Sequence, residues 1–353
     1  MKSANLLTVA EAEAAVRQRL AGIPSLECTQ LKAIPTEAVD GQFALSVATG
    51  GRTRALLCKA ITNGQPRQVR TACLELRYYA PGAGAVIPVL IAPYLSPAAR
   101  AMCQSFAVGF LDLLGNCRLA FEGIYLEREV EAKPAPARRE AKTSFRPKSA
   151  RVLRVLLRDP TKAWRVRDLA RAAQVSLGQV SHVRAALLDK EWAVLRPEGL
   201  MLAKPQVVLE AWRTVYEAPA GRRVSYYTPL QGQRLELGLR RALTRANQTG
   251  RAILAGASAA QWLCPYLRTP GALIYADAAG LAALESGLEL HPVTKDGNVT
   301  IVLIEDEGLF LDALEPAPEI RCTGIIQTYL DLTLLGERGQ EAADKLRAAK
   351  LAW

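Results

Sequence analysis

The chain has 353 residues, of which 50% are hydrophobic and 22% are charged, and its formal net charge is +11. Such a composition excludes collagen, a coiled coil and general disorder, and the length favours two or three domains. No apolar run reaches the roughly 18–20 residues that a membrane span requires, and the chain does not open on a basic cluster followed by an apolar block. We therefore expect a cytoplasmic protein that does not bind membranes.

Residues 1–130 alternate between helical and strand-like patterns, which predicts an α/β domain. The apolar run Val86–Ala92 is typical of a strand that is buried on both faces. Ser96 followed by Pro97 predicts the start of a helix, with serine as the cap and proline in the first turn. The other predicted elements are helices over 10–20 and from Gly64-Gln65-Pro66 to about 79, and strands over 43–48, 53–61, 109–113 and 117–127.

Part of this segment resembles the core strand and following turn of restriction-endonuclease-like folds. The similarity is carried by Leu56-Leu57-Cys58-Lys59 and Asn63-Gly64-Gln65-Pro66-Arg67. Those enzymes place Glu-x-Lys on the strand, where carboxylates bind Mg²⁺ and the lysine orients the attacking water. Here Lys59 matches the lysine, but Leu57 occupies the glutamate position and Asp40 is the nearest upstream acid. We therefore expect a degenerate nuclease site at Lys59, or simply a surface lysine.

Residues 131–147 lack an apolar period and combine proline, alanine and like charges, which is typical of an extended basic linker. The excess charge of the chain begins here. Residues 133–190 hold 15 basic and 4 acidic residues, whereas residues 1–132 hold 13 and 11 and residues 191–353 hold 17 and 19. A basic block can be a solvated tail or a face that binds a polyanion, so the decisive question is whether the block folds.

The segment 148–216 shows the pattern of a folded unit. Apolar residues at helical spacing predict helices over 148–158, 166–174 and 177–190, with Ser176 and Gln179 matching a capping box at the start of the third. Two short extended runs, 192–195 and 200–203, are joined by Arg196-Pro197-Glu198-Gly199 and predict a hairpin. Helix, helix, short turn, helix and hairpin is the plan of a winged helix-turn-helix. The stretch WRVRDLARAAQVSLGQVSHVRAALLDK resembles bacterial regulators of that class.

The winged-helix interpretation assigns roles to individual side chains, because such a third helix lies in the DNA major groove. The residues expected to face bases are Ser176, Gln179, Ser181 and His182. Those expected on phosphates are Lys148, Arg165, Arg167, Arg171, Arg184 and Arg196. Two alternatives stay open: the segment can serve only as a protein interface, and capping alone can explain Ser176 and Gln179.

Several motifs together resemble the AbiEi-like antitoxin regulators of type IV toxin–antitoxin systems. These motifs are Pro93-Tyr94-Leu95-Ser96-Pro97, the run from Gly109 to Arg118, Tyr329-Leu330-Asp331-Leu332 and Gly336-Glu337-Arg338-Gly339. Within the second motif, Asp112 and Asn116 beside Gly115 either bind a ligand or shape a turn. The resemblance implies a C-terminal domain, residues 224–353, with a nucleotidyltransferase-like α/β fold.

The C-terminal segment lacks the acid pair of an active nucleotidyltransferase. Gly256-Ala257-Ser258-Ala259 precedes a predicted helix, as the Gly-Ser turn of such enzymes does, but Asp277 has no partner in a D-x-D motif. The acidic run Glu305-Asp306-Glu307 follows an apolar strand and is typical of a solvated strand end or a surface for a basic partner. We therefore expect no nucleotide chemistry.

Cysteine and histidine give no pattern of a metal or catalytic site. The seven cysteines contain no C-x-x-C pair, which favours reduced thiols over a disulfide framework. The two histidines, His182 and His291, lie far apart in sequence, which disfavours a zinc site or a Ser-His-Asp triad. We expect no metal and no cofactor.

The sequence therefore predicts a multidomain α/β protein that binds double-stranded DNA and is not an enzyme. The resemblance implies an antitoxin and autorepressor that acts as a homodimer and neutralises a cognate nucleotidyltransferase-like toxin. A nuclease targeted by the winged helix and a non-catalytic interaction scaffold are the competing hypotheses.

Overall fold

The computed structural model describes residues 7–23, 26–30, 41–49, 51–80, 86–121, 123–130, 143–267 and 271–353. The chain divides into two compact units. The first comprises residues 1–139 with 187–191, and the second comprises residues 140–186 with 192–353. Asp40 and residues 131–142 of the predicted linker lie outside the described residues. The predicted middle segment, apart from residues 187–191, thus shares the second unit with the C-terminal segment.

The first unit alternates helices and strands, which confirms the predicted α/β class. Its helices are α1 (Val9–Leu20), α2 (Pro66–Tyr79) and α3 (Pro97–Ser105), and its strands are β1 (Glu27–Gln30), β2 (Gln42–Thr49), β3 (Arg52–Ala60), β4 (Val86–Ala92), β5 (Gly109–Asp112), β6 (Cys117–Phe121) and β7 (Ile124–Arg128). The strand predicted over 117–127 is two antiparallel strands, because the chain reverses at Gly123, whose φ is +76°.

The strands of this unit pair in chain order, from β1 at one edge to β7 at the other. Strands β3, β4 and β5 are parallel, and the remaining pairs are antiparallel. Helices α2 and α3 cover one face, where Val69, Leu76 and Cys103 pack against Leu57 and Leu90. On the other face, Val16 and Leu20 of α1 pack against a second apolar layer. The central strands are therefore buried on both faces, which explains the continuous apolar run in β4.

Local signals fix where two of these helices begin. Thr8 and Glu11 form a reciprocal capping box at the start of α1. Ser96 accepts a hydrogen bond from the Ala99 N–H at 3.2 Å, and Pro97 occupies the first turn of α3. This confirms the prediction made from the Ser96-Pro97 pair.

The middle segment contains its elements in the predicted order. They are α4 (Pro147–Arg158), α5 (Val166–Ala173), α6 (Leu177–Asp189), β8 (Ala193–Arg196) and β9 (Gly199–Leu202). Between α5 and α6, Gln174 takes a left-handed conformation with a φ of +50°, which ends α5 and turns the chain. Outside the predicted elements, Trp164 forms an antiparallel bridge with Leu200 and so adds a third extended segment to the β8–β9 hairpin.

Gly199 holds this hairpin against Trp164. Its φ is +144°, and a Cβ at this position would lie 2.3 Å from the Trp164 carbonyl oxygen. Replacement by alanine adds both a disfavoured backbone conformation and a backbone clash, so we expect Gly199→Ala to lower the free energy of unfolding by about 2 kcal/mol or more. Urea unfolding measures this loss. Gly123→Ala is the matched control, because Gly123 has a positive φ but open space around its Cα. Equal losses in both variants would contradict the clash.

The middle segment ends with α7 (Pro205–Val215), and a second seven-stranded sheet flanked by helices follows it. Its strands are β10 (Gly221–Tyr227), β11 (Ala252–Leu254), β12 (Ala272–Ala276), β13 (His291–Pro292), β14 (Val299–Ile304), β15 (Leu314–Ala317) and β16 (Ile320–Cys322). Its helices are α8 (Gly232–Thr249), α9 (Gly256–Leu263), α10 (Ala278–Gly287), a 3₁₀ helix (Glu307–Phe310), α11 (Ile325–Leu332) and α12 (Gly336–Lys350).

The strand order of this sheet is β13-β10-β14-β12-β11-β16-β15, with parallel and antiparallel pairs mixed. Its main core joins Leu243 of α8 and Leu284 of α10 to Ile274 and Ile301 of the central strands. The α/β class is therefore confirmed for this segment as well. Assignment of the two sheets to nuclease-like and nucleotidyltransferase-like folds stays a prediction.

Buried polar contacts join the middle segment to the C-terminal segment. Arg154 of α4 is only 4% exposed, and its Nε lies 3.8 Å from an Asp312 carboxylate oxygen. Its remaining N–H groups donate to the Gln327 side-chain oxygen at 3.2 Å and to the Gly308 carbonyl at 3.1 Å. One turn earlier, Arg151 donates to Asp306 at 2.8 Å. These contacts explain why the two segments form one compact unit.

Candidate nucleic-acid interface

The helices of the middle segment place their apolar side chains on one side and so define an outer surface. Val152 and Leu156 of α4, Leu169 of α5 and Val180 and Val183 of α6 are all buried. Each recurs at helical spacing, which is why the sequence pattern located these helices. The surface available to a partner is therefore the opposite face of α6 together with the exposed side chains of α5 and the hairpin.

The exposed face of α6 carries small residues and one histidine. Gly178, Ser181, His182 and Ala185 are exposed and are spaced i, i+3, i+4 and i+7, so they form one stripe along the helix. Leu177, in the first turn, is also half exposed. Three of the four stripe residues are small, so a partner surface can approach the helix backbone closely. Ser181 and His182, two of the predicted base contacts, lie on this stripe.

The other two predicted base contacts also hold α6 in place. The Gln179 N–H donates to the Ser176 hydroxyl at 3.2 Å, so the predicted cap is formed. The Gln179 side chain does not complete a reciprocal capping box. Its amide instead donates to the Ser149 hydroxyl of α4 at 3.0 Å, because α4 passes beside this turn. Gln179 is half-buried, and its second amide N–H and its carbonyl oxygen are left for other contacts.

Most of the predicted phosphate contacts are exposed cations of the same segment. Lys148, Arg165, Arg167, Arg171 and Arg196 are exposed, and Arg184 is half-buried. Arg167 and Arg171 are four residues apart on α5 and therefore share a face. Within the described part of the chain, none of these six side chains forms an ion pair with a carboxylate. Their charge is thus available to an external anion.

In the first unit, Lys59 is paired with a carboxylate that the sequence pattern did not identify. Lys59 lies near the end of β3, and its ammonium contacts the Glu75 carboxylate of α2. Leu57, at the position where a nuclease has its glutamate, is buried in the apolar layer under α2. The sequence spacing between Lys59 and Glu75 does not predict this contact, because the packing of α2 on the sheet brings the two side chains together. The interpretation of Lys59 as a degenerate nuclease site stays a prediction.

Asp112 and Asn116 are occupied in shaping a turn. Asp112 accepts hydrogen bonds from the backbone N–H groups of Leu95 and Leu114, each at 3.0 Å, and the Asn116 side chain donates to it at 2.7 Å. The Asn116 oxygen in turn accepts from Arg100 and from the Val130 N–H. Of the two readings weighed for this motif, these bonds favour the structural one, in which it joins the ends of β4 and β5.

The acids of the C-terminal segment are likewise engaged within the protein. Asp277 caps α10 by accepting from the Gly280 N–H at 2.8 Å, and it pairs with Arg251 at 3.2 Å. Asp306 of the acidic run pairs with Arg151, and Glu307 pairs with Arg251 at 2.8 Å. A basic partner for the acidic run therefore lies in the chain itself, on α4. Ser258 accepts from the Leu273 N–H at 2.8 Å.

The motif Tyr329-Leu330-Asp331-Leu332 lies on α11 and forms the centre of a buried polar cluster. Asp331 accepts from the Tyr216 hydroxyl and from the Gln327 amide, the latter at 2.9 Å. Gln327 also receives the bond from Arg154, so the cluster continues into α4. Burial raises the pKa of the Asp331 carboxyl to about 6, although these hydrogen bonds act to lower it.

The raised pKa of Asp331 predicts a pH-dependent loss of stability. Well below pH 4 the carboxyl is protonated in the folded and unfolded chains, whereas above pH 6 the folded chain holds a buried carboxylate. The stability of the protonated form is therefore lost as pH rises through about 6, by about 3 kcal/mol in total. Asp331→Asn does not ionise, so its stability relative to wild type should rise by about 2 kcal/mol between pH 4 and pH 7. Urea unfolding at both pH values measures this, and a constant difference would contradict it.

Among the described residues, no group of three or more histidine, cysteine, aspartate or glutamate side chains is placed to hold a metal ion. No helix there is long and apolar enough to cross a membrane. The described cysteine side chains are free thiols, as the unpatterned spacing predicts.

The C-terminal part of the chain matches the model of a known family. Residues 201–352 match the model of a family described as "Transcriptional regulator, AbiEi antitoxin, Type IV TA system". The match begins in β9 and extends through α12, so it covers the whole second sheet and less than half of the chain. Comparison with curated proteins and with solved structures gave no match.

Proposed function

We propose that this protein is a DNA-binding regulator and antitoxin, because residues 201–352 match the model of the AbiEi antitoxin family of transcriptional regulators. The middle segment, α4 to β9, acts as a winged helix-turn-helix on double-stranded DNA. Helix α6 enters the major groove, and the cations of α5 and the hairpin contact phosphates. The protein acts on its own upstream DNA as a homodimer, because two half-sites give affinity and register.

The observation that carries this proposal is the combination of two features on one segment. The exposed stripe of α6 consists mainly of small residues, and small residues let a helix approach base edges closely. The exposed cations around it are free of internal ion pairs among the described residues. A segment that served only as a protein–protein interface would not require both the stripe of small residues and the unpaired cations. Ser181 and His182 are the side chains best placed to read bases, with histidine able to donate to guanine or to a phosphate.

The antitoxin role rests on the family alone. The family description names a type IV toxin–antitoxin system, so we propose a cognate nucleotidyltransferase-like toxin as the partner. The C-terminal segment then acts by contact and not by turnover. The engagement of Asp277 and Asp306 in internal ion pairs is consistent with this role.

Titration of the full chain against a labelled duplex from its own upstream region tests the proposal. With about six phosphate contacts, affinity should fall on the order of a thousandfold between 50 and 200 mM salt. Binding should also change its sequence preference in Ser181→Ala and His182→Ala. Absence of binding at 50 mM salt, or binding that does not depend on salt, would overturn the proposal.

A further inference from the structure

A cavity of about 660 Å³ lies within the second unit, between the start of α4, the end of α7 and the residues that follow it, and the 3₁₀ helix. This volume falls in the range of about 300–1,000 Å³ that is typical of small-molecule sites. None of the residues that line it has a role in the DNA contacts described above, except Lys148. DNA binding therefore does not explain the presence of this cavity.

One wall of the cavity is flat and aromatic. The ring of Phe145 is stacked on the indole of Trp212, with centroids 5.6 Å apart and planes inclined by 13°. Val215 and Leu309 continue this apolar surface, and Trp212 itself is buried. A planar aromatic molecule is the shape that such a wall accommodates, because rings stack at this spacing.

The lining of the cavity includes cations without a carboxylate partner among the described residues. Four cations line it, and two of these are used internally, since Arg151 pairs with Asp306 and Arg154 with Asp312. Arg146 and Lys148 are exposed and, among the described residues, have no carboxylate partner. Glu217 and Glu305 also line the cavity, so the lining holds four cations and three carboxylates with an excess of one positive charge.

The position of Arg146 and Lys148 on α4 is electrostatically unfavourable without a ligand. They flank the first residue of the helix, and the first turn contains no acidic residue. The N-terminal end of a helix carries partial positive charge, so cations there are repelled and an anion is attracted. A bound anion would relieve this repulsion and pair with both side chains.

The cavity also adjoins the contact that holds helix α6. Ser149, which accepts the hydrogen bond from Gln179, lies between Lys148 and Ala150, and both of these residues line the cavity. A ligand that shifts the first turn of α4 therefore acts directly on the start of α6. It also engages Lys148, one of the predicted phosphate contacts.

We propose that this cavity binds a small planar aromatic anion, with its ring against Phe145 and its anionic group between Arg146 and Lys148. Occupation of the cavity lowers the affinity of the protein for DNA. This second statement rests on the proposed DNA-binding function, whereas binding of the aromatic anion does not.

Binding is tested with the full chain and 1-anilinonaphthalene-8-sulfonate, a fluorescent aromatic anion. We expect one site per chain and a preference of at least tenfold over the uncharged N-phenyl-1-naphthylamine. Arg146→Glu should abolish this preference, and Ala218→Trp, which fills the cavity from an exposed position, should weaken both probes at least tenfold. Arg234→Glu, a charge reversal on α8 outside the cavity, is the matched control. Circular dichroism verifies folding of each variant. Equal binding by wild type and both cavity variants would overturn the site.

Competition identifies the source of the natural anion. Displacement of the probe by adenosine monophosphate indicates a nucleotide, and displacement by salicylate indicates an aromatic carboxylate. Failure of both at millimolar concentration would overturn the assignment of ligand class.

The effect of the bound probe on DNA affinity is measured in a separate experiment. Failure of the cavity site can then be distinguished from failure of the proposed DNA-binding function. The probe should lower DNA affinity at least fivefold in wild type and leave Ala218→Trp unaffected. Probe binding without any DNA binding by wild type would refute the proposed function and leave the cavity site standing. DNA binding that the bound probe does not change would refute the coupling.

Discussion

Replacement of Arg165, Arg167 and Arg171 by glutamine should lower the affinity for upstream DNA about 100-fold at 150 mM salt. Each of these exposed arginines is expected to neutralise one phosphate and release its counterion, so three lost contacts reduce the slope of log affinity against log salt by about 3. Extrapolated from 1 M salt, such a change in slope corresponds to a loss of roughly two orders of magnitude. Fluorescence anisotropy at several salt concentrations measures both quantities.

A triple replacement elsewhere provides the matched control. Arg234, Arg241 and Arg245 are exposed on α8, and their replacement by glutamine removes the same charge from the chain. If binding depends only on net charge, the two triple variants will weaken it equally, and that outcome would contradict the assignment of the DNA contacts to α5. We expect the α8 variant to retain affinity within about threefold, because only charges near the phosphates release counterions on binding.

Arg154→Met should have the largest effect on stability. The guanidinium of Arg154 is the charged partner of Asp312, and burial raises the pKa of the Asp312 carboxyl even in its presence. Removal of the arginine leaves this buried carboxyl without its neighbouring cation, and the Gln327 oxygen and the Gly308 carbonyl without their donor. Loss of one member of a buried ion pair costs about 3–5 kcal/mol. Urea unfolding at pH 7 should show this loss.

The double variant Arg154→Met, Asp312→Leu separates an ion-pair effect from general damage to packing. It removes both buried charges, and replacement of a buried pair by apolar groups is often close to neutral, so at least half of the stability should return. Arg234→Met, on the exposed face of α8, should change the free energy of unfolding by less than about 0.5 kcal/mol. A double variant as unstable as Arg154→Met would contradict the account.

The helices of the middle segment were predictable because their pattern is local. Val152, Leu169 and Val180 repeat at helical spacing with their neighbours, and the turn residues between them end each element. The cap at Ser176 was predictable for the same reason. Helix caps and the spacing of apolar residues depend on neighbours within a few positions, so they can be recognised in a single sequence.

Contacts between distant residues were not predictable. The bond between Gln179 and Ser149, the pair of Lys59 with Glu75, and the buried Arg154 each join elements whose packing decides which side chains meet. The bridge of Trp164 to Leu200 was not predictable either, because one extended residue has no periodicity. Strand β1 pairs with β2 over only four residues and was missed for a similar reason.

The charge distribution located the basic segment of the chain, but it did not indicate which basic side chains are exposed. The excess of cations in residues 133–190 pointed to the segment that holds α4, α5 and α6. It did not distinguish Arg151 and Arg154, which are used in internal pairs, from Arg165, Arg167 and Arg171, which are exposed. Only burial separates the two groups.

A site-specific photocrosslink determines whether helix α6 lies against the operator bases. The full chain carries p-benzoylphenylalanine at position 181, on the exposed stripe of α6, or at position 237, where Leu237 is exposed on α8. Each protein is irradiated with the upstream duplex. We expect a crosslink to operator bases from position 181 and none from position 237. A crosslink from position 237 with none from position 181 would show that another face of the protein holds the DNA.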